Sequence, residues 1–482
     1  MEKIHVLSAS HIREKILKGE LSALEVTQAV IERIKATDEA LEAYNTYNFD
    51  AAIERAKAVD EKIKRGEEPG KLAGVPIAVS DLILTKDLLT TAGSRMLYNY
   101  MSVSDAVAVE KLLAEDAVII GKTACDEFGM GTTGENTYFK KAKNPWNQTR
   151  VAGGASSGSA ATVAGCQVPL ALASDTGGGI RIPAAYTGLV GLKPTYGAVS
   201  RNGLIAYGSS LDQIGPMART VDDAALLFSA ICGKDPMDAT SKEYTFKGFG
   251  EDIKGLRLGL PKEYFTESVN SDVKEAVLKA VDRLKELGAE IVDISLPSTK
   301  YALNAYYLVA CAEASSNLGK YDGMKYGYEG SDWSSYENIY LSSRTEGFGY
   351  EVQKRVLLGT LVLSAGYYDD YFKKAKLLEK QLSGEFKAAF EKCDAIITPV
   401  SACTAPKFGE AFDTRTKDYD AARFTVSASL TGLPAISIPC GSDGEQLPVG
   451  LQIIGRKFDE STLLTIAKCF ENAVGGFEVK EF

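Results

Sequence analysis

The feature that most constrains the fold is a stretch rich in glycine, alanine and serine between residues 151 and 197. Glycine adopts backbone conformations closed to other residues and lets backbone amides approach a ligand closely. The stretch has no period of three, and the apolar runs VPLALA and GLVGL interrupt the glycines, which excludes a collagen-like helix and a flexible linker. We therefore expect a buried core with tight loops around a site.

Short apolar runs alternate with helical patterns on both sides of this stretch. Upstream, the runs GVPIAVSDLIL and DAVIIGKT flank the helical segment AVAVEKLLAEDA. Downstream, LRLGLPKEYF precedes an amphipathic helix, and GLPAISIPCG and PVGLQIIG indicate two final core strands. This alternation is typical of an α/β protein.

The 482 residues allow two to four domains or one large α/β unit. No internal repeat is visible, and the last strands belong to the core, so we predict one domain over residues 1–482. Within it we expect an N-terminal helical layer over 1–65, a core region over 66–232 and a C-terminal part over 233–482 that completes the sheet and the pocket.

Charge and composition narrow the function. The formal net charge is −10, so the chain lacks the basic surface that a nucleic-acid binder needs, and contact with tRNA would require another subunit. The start of the chain has no apolar leader and no uninterrupted apolar run of 18 residues occurs, which favours a cytoplasmic protein without a membrane partner.

Histidine and cysteine exclude several kinds of site. The only histidines are His5 and His11, which argues against a Ser-His-Asp triad or a histidine-ligated metal. The eight cysteines form no CxxC pair and indicate reduced thiols. A cysteine nucleophile remains an alternative, although no histidine lies nearby to activate one. We expect no cofactor and no metal.

Long segments of the chain closely resemble the amidase signature family, and within it the A subunits of glutamyl-tRNA(Gln) and aspartyl-tRNA(Asn) amidotransferases. They include GVPIAVSD, IIGKTACDEFGMG, GLVGLKPTYGAVSRNGLIAYGSSLDQIGPMART and GLPAISIPCG. The resemblance covers nearly the whole length. It implies the amidase signature fold, a large mixed β-sheet core flanked by helices on both faces.

The resemblance implies a catalytic site made of a lysine, a bridging serine and a nucleophilic serine, in which the lysine acts as the base. The matching positions here carry Ser80, Ala155 and Gly179. The separation of the last two matches the family, so no shift of register places a serine at either position. None of the three residues supplies the group that the resemblance implies.

The resemblance also implies a ligand pocket. Backbone amides after the strand LALASD would form an oxyanion hole, an arginine would grip a carboxylate, and a tyrosine would lie near the substrate. The acidic residue that would meet the substrate's ammonium group falls near Ala422. Two alternatives stay open: the glycine loop only closes the core, or the arginine belongs to a structural ion pair. The implied ligand-binding residues are Thr176, Gly177, Gly178, Gly179, Tyr306 and Arg355.

From these positions we predict an amidase-fold protein that has lost amide hydrolysis and reuses its pocket. In one form of reuse the pocket binds a small molecule that bears a carboxylate or an amide. In the other, it carries out altered acyl or amide chemistry on such a molecule. One alternative is a non-catalytic paralogue that docks B- and C-type amidotransferase subunits or forms a homodimer. Another is an inactivated glutamine amidotransferase of the A type.

Overall fold

An eleven-stranded mixed sheet forms the core of the chain in a computed structural model, which describes residues 3–410 and 417–482. Its strand order is β1-β3-β2-β6-β8-β7-β12-β13-β11-β9-β10, and β4 and β5 form a separate hairpin. The predicted mixed sheet flanked by helices is confirmed. The strands are β1 Tyr44–Tyr47, β2 Pro76–Ser80, β3 Val118–Thr123, β4 Lys143–Asn144, β5 Asn147–Val151, β6 Leu170–Asp175, β7 Val190–Lys193, β8 Gln213–Ala218, β9 Arg257–Pro261, β10 Glu290–Ile294, β11 Ala395–Pro399, β12 Ala435–Ser442 and β13 Pro448–Ile454.

Helices cover this sheet and connect its strands. Several begin at residues whose side chains satisfy the first free backbone amides, as at Ser22, where the hydroxyl and the Glu25 carboxylate form a capping box. The helices are α1 Ala9–Leu17, α2 Ala23–Leu41, α3 Phe49–Lys64, α4 Val107–Ala114, α5 Ser157–Ala164, α6 Arg181–Thr187, α7 Val221–Ile231, α8 Ser271–Glu286, α9 Ala302–Asn317, α10 Tyr336–Gly347, α11 Tyr350–Leu363, α12 Lys373–Phe390, α13 Lys417–Asp420, α14 Val426–Leu430 and α15 Glu460–Ala473.

The N-terminal region differs from the predicted helical layer in one element. Between α2 and α3 the chain adds strand β1, which pairs antiparallel with β3 at one end of the sheet. The segment YNTY contains three residues common in strands, two tyrosines and a threonine, and Tyr44 is fully buried. A four-residue strand is too short to stand out between two long helical patterns.

The sheet determines where the site lies. Strand β2 runs parallel to β6, so both strands end at the same edge of the sheet. Ser80 is the last residue of β2, and Asp175 is the last residue of β6. The glycine-rich loop that follows Asp175 therefore emerges at the carboxyl edge, beside the end of β2.

Among the described residues, no helix has the length and apolar character needed to cross a bilayer.

Candidate active site

A buried ion pair anchors the glycine-rich loop between β6 and α6. Asp175 and Arg181 are both fully buried, and the guanidinium donates to both carboxylate oxygens at 2.9 Å. Burial is the largest influence on the pKa of Asp175 and would raise it, but the Arg181 charge, the hydrogen bonds to the carboxylate and the Lys193 charge together hold that pKa below its usual value. Arg181 also donates to the Gln452 side chain and to Ser429 Oγ. The loop is thereby tied to β13 and α14.

The loop itself is so tightly packed that glycine is required at two positions. A Cβ atom on Gly177 would lie 2.4 Å from Cζ of the Tyr306 ring, so this ring rests directly on the loop backbone. Gly178 has a φ of +138°, a conformation that other residues rarely adopt. The loop thus fills the space between the end of β6 and helix α9.

Above the loop lies a small cavity of about 20 Å³, room for about one water molecule. Helices α9 and α11 contribute one wall, and the glycine loop and the segment before α5 contribute the other. The residues around it are Gly129, Gly131, Thr132, Gly154, Ala155, Ser174, Thr176, Gly177, Gly178, Gly179, Ile182, Tyr306, Tyr307, Arg355 and Ala422.

The structure brings most of the sequence-predicted site residues to this cavity. Ala155 and Gly179 face each other, because a Cβ on Gly179 would lie 3.6 Å from the Ala155 Cβ, and the Gly179 carbonyl accepts from Ser156 N at 3.2 Å. The six predicted ligand-binding residues also line the cavity. Ser80 does not: it is buried at the end of β2, where its Oγ accepts from Leu82 N at 3.5 Å. Ala422 lines the cavity and brings no charge to it.

Arg355 is the charged group of the cavity. It is 3% exposed, its Nε donates to Glu351 at 2.8 Å, and its Nη1 donates to the Tyr207 hydroxyl at 2.7 Å. Its buried Nη2 has no hydrogen-bond partner among the described residues. Arg355 is therefore a member of an ion pair, as one of the alternatives left open by the sequence had it, and one of its nitrogens has no partner among the described residues.

The backbone amides of the loop are not equivalent. Gly178 N–H donates to Asp175 Oδ1 at 2.8 Å and is already used inside the loop. The amides of Gly177 and Gly179 donate to no acceptor among the described residues. Of the four amides that the resemblance implies, the Gly178 amide is thus not free to bind a ligand. The N–H groups of residues 177 and 179 could donate to an anionic or carbonyl oxygen.

Three polar residues that support the cavity were not identified in the sequence analysis. Tyr207 and Glu351 hold the Arg355 guanidinium, and Asp212 accepts from the Thr176 hydroxyl at 2.6 Å. Glu351 precedes Arg355 by four residues on one helix, a spacing typical of ion pairs that could have revealed it. Tyr207 and Asp212 lie far from their partners in sequence, so only the fold brings them together.

The cysteines do not take part in this site. None of the eight, all of which lie in described segments, lines the cavity. Burial raises the pKa of Cys311 to about 11 and also raises the pKa of Cys125, so neither thiol has the thiolate character of a nucleophile. The cavity therefore offers a guanidinium, backbone amides and hydroxyl groups to a ligand.

Comparison with known proteins extends over nearly the whole chain. A family model described as Amidase matches residues 25–464. The chain is 50% identical over 473 residues to the A subunit of glutamyl-tRNA(Gln) amidotransferase from Carboxydothermus hydrogenoformans, with 97% of each chain covered. It is 50% identical over 477 residues to the same subunit of Thermoanaerobacter pseudethanolicus, covering 98% of this chain and 97% of the relative. The crystal structure of this subunit from Thermotoga maritima matches with a TM-score of 0.79 and 37% identity, covering 97% and 95% of the two chains.

These similarities correct the functional prediction made from the sequence. The prediction that the chain has abandoned amidotransferase function and reuses its pocket is wrong, because full-length relatives at about half identity are A subunits of an amidotransferase. It rested on Ser80, Ala155 and Gly179, whereas the identity extends through both chains almost from end to end. The resemblance to the amidase family and to these subunits is confirmed.

Proposed function

We propose, since this chain belongs to the amidase family, that it works as the A subunit of a glutamyl-tRNA(Gln) amidotransferase assembly and binds glutamine in the cavity beside Arg355. The observation that carries this proposal is the 50% identity to such subunits over 97% of the chain. In such an assembly this chain works together with other subunits. The net charge of −10 is consistent with this, because tRNA is bound more readily by a less acidic partner.

The donors around the cavity suit the two polar ends of glutamine. Arg355 Nη2 is a buried, charged donor without a partner in the described residues, and a guanidinium binds a carboxylate through directed hydrogen bonds. The Gly177 and Gly179 amides belong to the opposite wall of the cavity, and we expect them to donate to the side-chain amide oxygen. Ser80, Ala155 and Gly179 add no charged group, so recognition falls to these donors.

Binding requires the cavity to open. An amino acid does not fit into about 20 Å³, and binding sites for small molecules commonly exceed 300 Å³. Tyr306 and Arg355 belong to helices α9 and α11, whereas the amides belong to the anchored glycine loop. We propose that the two helices move away from the loop, which stays fixed by Asp175 and Arg181.

The test is thermal unfolding of the chain co-purified with B- and C-type subunits, with and without glutamine. We expect saturating glutamine to raise the melting temperature of the assembly, because a ligand that binds only the folded state stabilises it. Arg355→Ala should reduce that shift, while Arg283→Ala, which changes an exposed arginine of α8 paired with Glu286, should leave the shift unchanged. A shift that is the same in Arg355→Ala would contradict glutamine binding in this cavity.

A further inference from the structure

A pocket much larger than the ligand cavity lies directly beside it. Its volume is about 500 Å³, whereas the cavity described above has about 20 Å³. Small-molecule sites usually have volumes of roughly 300 to 1,000 Å³. The larger pocket is bounded by Thr132, Tyr186, Val269, Cys403 and Ala421, among other residues. We call this space the outer pocket.

The outer pocket and the cavity meet at two small side chains. Thr132 lines both spaces, and Ala421 of the outer pocket is followed directly by Ala422, which lines the cavity. Thr132 and Ala422 are both buried, so they close the boundary between the two spaces. The boundary at this point is thus made of one threonine and one alanine side chain.

The walls of the outer pocket are tied together by hydrogen bonds. The Asn270 amide donates to the Ala402 carbonyl at 2.9 Å, which joins the loop before α8 to the loop after β11. The Tyr186 and Ser401 hydroxyls form a hydrogen bond of 3.1 Å, which joins helix α6 to the same loop. The outer pocket is therefore preformed, as small-molecule sites usually are.

Another pocket, of about 310 Å³, offers a less favourable route to the cavity. It is bounded by Glu127, Phe348 and Glu351, and within the described segments it shares no lining residue with the cavity. Glu351 is bonded to Arg355 of the cavity at 2.8 Å. A ligand that came from that side would have to break this buried ion pair, which is costly.

Charge also favours the outer pocket as the place where an amino acid arrives. Its charged lining residues are three acids and one base, namely Glu267, Glu410, Asp420 and Arg423. The described lining of the cavity contains no acidic residue, and its charged group is Arg355. Carboxylates attract the ammonium group of an amino acid, and a guanidinium binds its carboxylate. An amino acid is thus drawn to the outer pocket first.

We infer that the outer pocket is the entrance through which the amino-acid ligand reaches the cavity, and that the ligand passes between Thr132 and Ala422. This inference rests on the proposed function, because the ligand that it assumes is glutamine. The proposed movement of α9 and α11 provides space inside the cavity, and the outer pocket provides the route to that space. An entrance changes the rates of binding and release by the same factor, so it leaves the dissociation constant unchanged.

The first test fills the outer pocket with a tryptophan side chain. Ala421→Trp places an indole ring in the outer pocket, and the matched control Ala51→Trp places one on the exposed side of α3, outside both spaces. Calorimetric titration of glutamine into the full assembly, analysed for kinetics, measures the association rate and the dissociation constant. We expect Ala421→Trp to slow association and dissociation by about tenfold or more with little change in dissociation constant. Ala51→Trp should change neither rate.

The second test uses a reversible label on Cys403 in the chain without substitutions. Cys403 is exposed, whereas the other seven cysteines are buried or only partly exposed. Methanethiosulfonate reagents attach a methyl or a benzyl group to this thiol through a disulfide, and a thiol reductant removes the group. The benzyl label should slow glutamine binding more than the methyl label, and reduction should restore the rate. Labelled and unlabelled Cys403→Ser are compared with each other to reveal any effect of labelling the other thiols.

The possible results separate this inference from the proposed function. If glutamine binds at the same rate in Ala421→Trp and in the benzyl-labelled chain, the outer pocket is not the entrance, while the proposed function stands. A weaker dissociation constant with an unchanged association rate would also overturn the inference, because it would make the outer pocket part of the final binding site. If Ala421→Trp does not fold, the label on Cys403 decides. A wild-type assembly that binds no glutamine would contradict the proposed function itself.

Discussion

Thr176 Oγ1 donates to the buried carboxylate of Asp212 at 2.6 Å, and this contact joins the glycine loop to the segment directly before β8. The same carboxylate accepts the amides of Tyr207 and Gly208 at 3.0 and 3.1 Å. Because the Tyr207 hydroxyl accepts from Arg355, one side chain positions both the glycine loop and the segment that holds the guanidinium.

Asp212→Asn should therefore weaken glutamine binding. The amide of asparagine presents N–H groups where the carboxylate accepts three donors, so at least one hydrogen bond is lost. A hydrogen bond to a charged group contributes about 1.5 to 3 kcal/mol, which corresponds to a loss of roughly ten- to a hundredfold in affinity. Calorimetric titration of glutamine into the assembly measures this loss, and unchanged affinity would show that Asp212 does not position the site.

The pH dependence of glutamine affinity provides a second test of the positioning role of Asp212. Burial raises the pKa of Asp212 to about 6, opposed by its hydrogen bonds, and the neighbouring Glu313 raises it further. A raised acid pKa means that the folded state binds the proton more tightly, so this group favours folding below its unfolded pKa and that contribution is lost as pH rises through about 6.

As pH falls from 7 to 5, Asp212 should thus gain a proton and lose an acceptor. We expect glutamine affinity to fall over this interval while the contribution of Asp212 to folding stability rises. Glu127, whose pKa burial raises to about 7, also titrates here, so the comparison is between wild type and Asp212→Asn. A variant with the same pH profile of affinity as wild type would contradict this assignment.

The Arg355 guanidinium is expected to act through its geometry as well as its charge. Arg355→Ala should weaken glutamine binding by about ten- to a hundredfold, and Arg355→Lys should restore only part of it, because lysine lacks the planar fork. The fold should survive both changes, because Glu351 keeps its ion pair with Lys354 at 2.6 Å and still accepts a hydrogen bond from the Tyr419 hydroxyl at 2.6 Å. Equal affinity in Arg355→Ala and wild type would assign this arginine a structural role only.

Gly177 provides a test of the contact between the loop and helix α9. Gly177→Ala should lower the melting temperature, because the new methyl group would lie 2.4 Å from the Tyr306 ring. Tyr306→Ala in the same chain should relieve part of that loss. The control is Gly384→Ala on α12, which meets no atom within 4 Å and should stabilise by up to about 1 kcal/mol. Equal melting temperatures for Gly177→Ala and wild type would contradict this packing.

The α/β alternation and the loop of the site could be predicted because their signals are local, whereas the mixed sheet was implied by the family resemblance. The glycines of 177–179 and the strand before them are adjacent in sequence, and the strand-helix-strand unit of β2, α4 and β3 follows from short apolar runs. The Asp212 contact, the use of the Gly178 amide by Asp175 and the small volume of the cavity could not be predicted. Each depends on side chains or backbone brought together by tertiary packing.

The anchor of the loop gives a prediction about stability. Arg181→Met should lower the free energy of unfolding by about 3 to 5 kcal/mol, because it leaves the Asp175 carboxylate buried without its cation. Urea denaturation of the isolated chain measures this loss. The exposed pair of Arg283 and Glu286 supplies the control, since Arg283→Met should change stability by less than about 1 kcal/mol. Similar losses in the two variants would contradict the role of the buried pair.

Native mass spectrometry of the chain co-expressed with B- and C-type amidotransferase subunits, with glutamine added, tests the proposed glutamine-binding subunit most directly. We expect a complex that contains this chain and both other subunits, with one glutamine bound per copy of this chain and that binding weakened in Arg355→Ala. A chain that stays separate from both subunits, or a complex that binds glutamine equally well in Arg355→Ala, would contradict it.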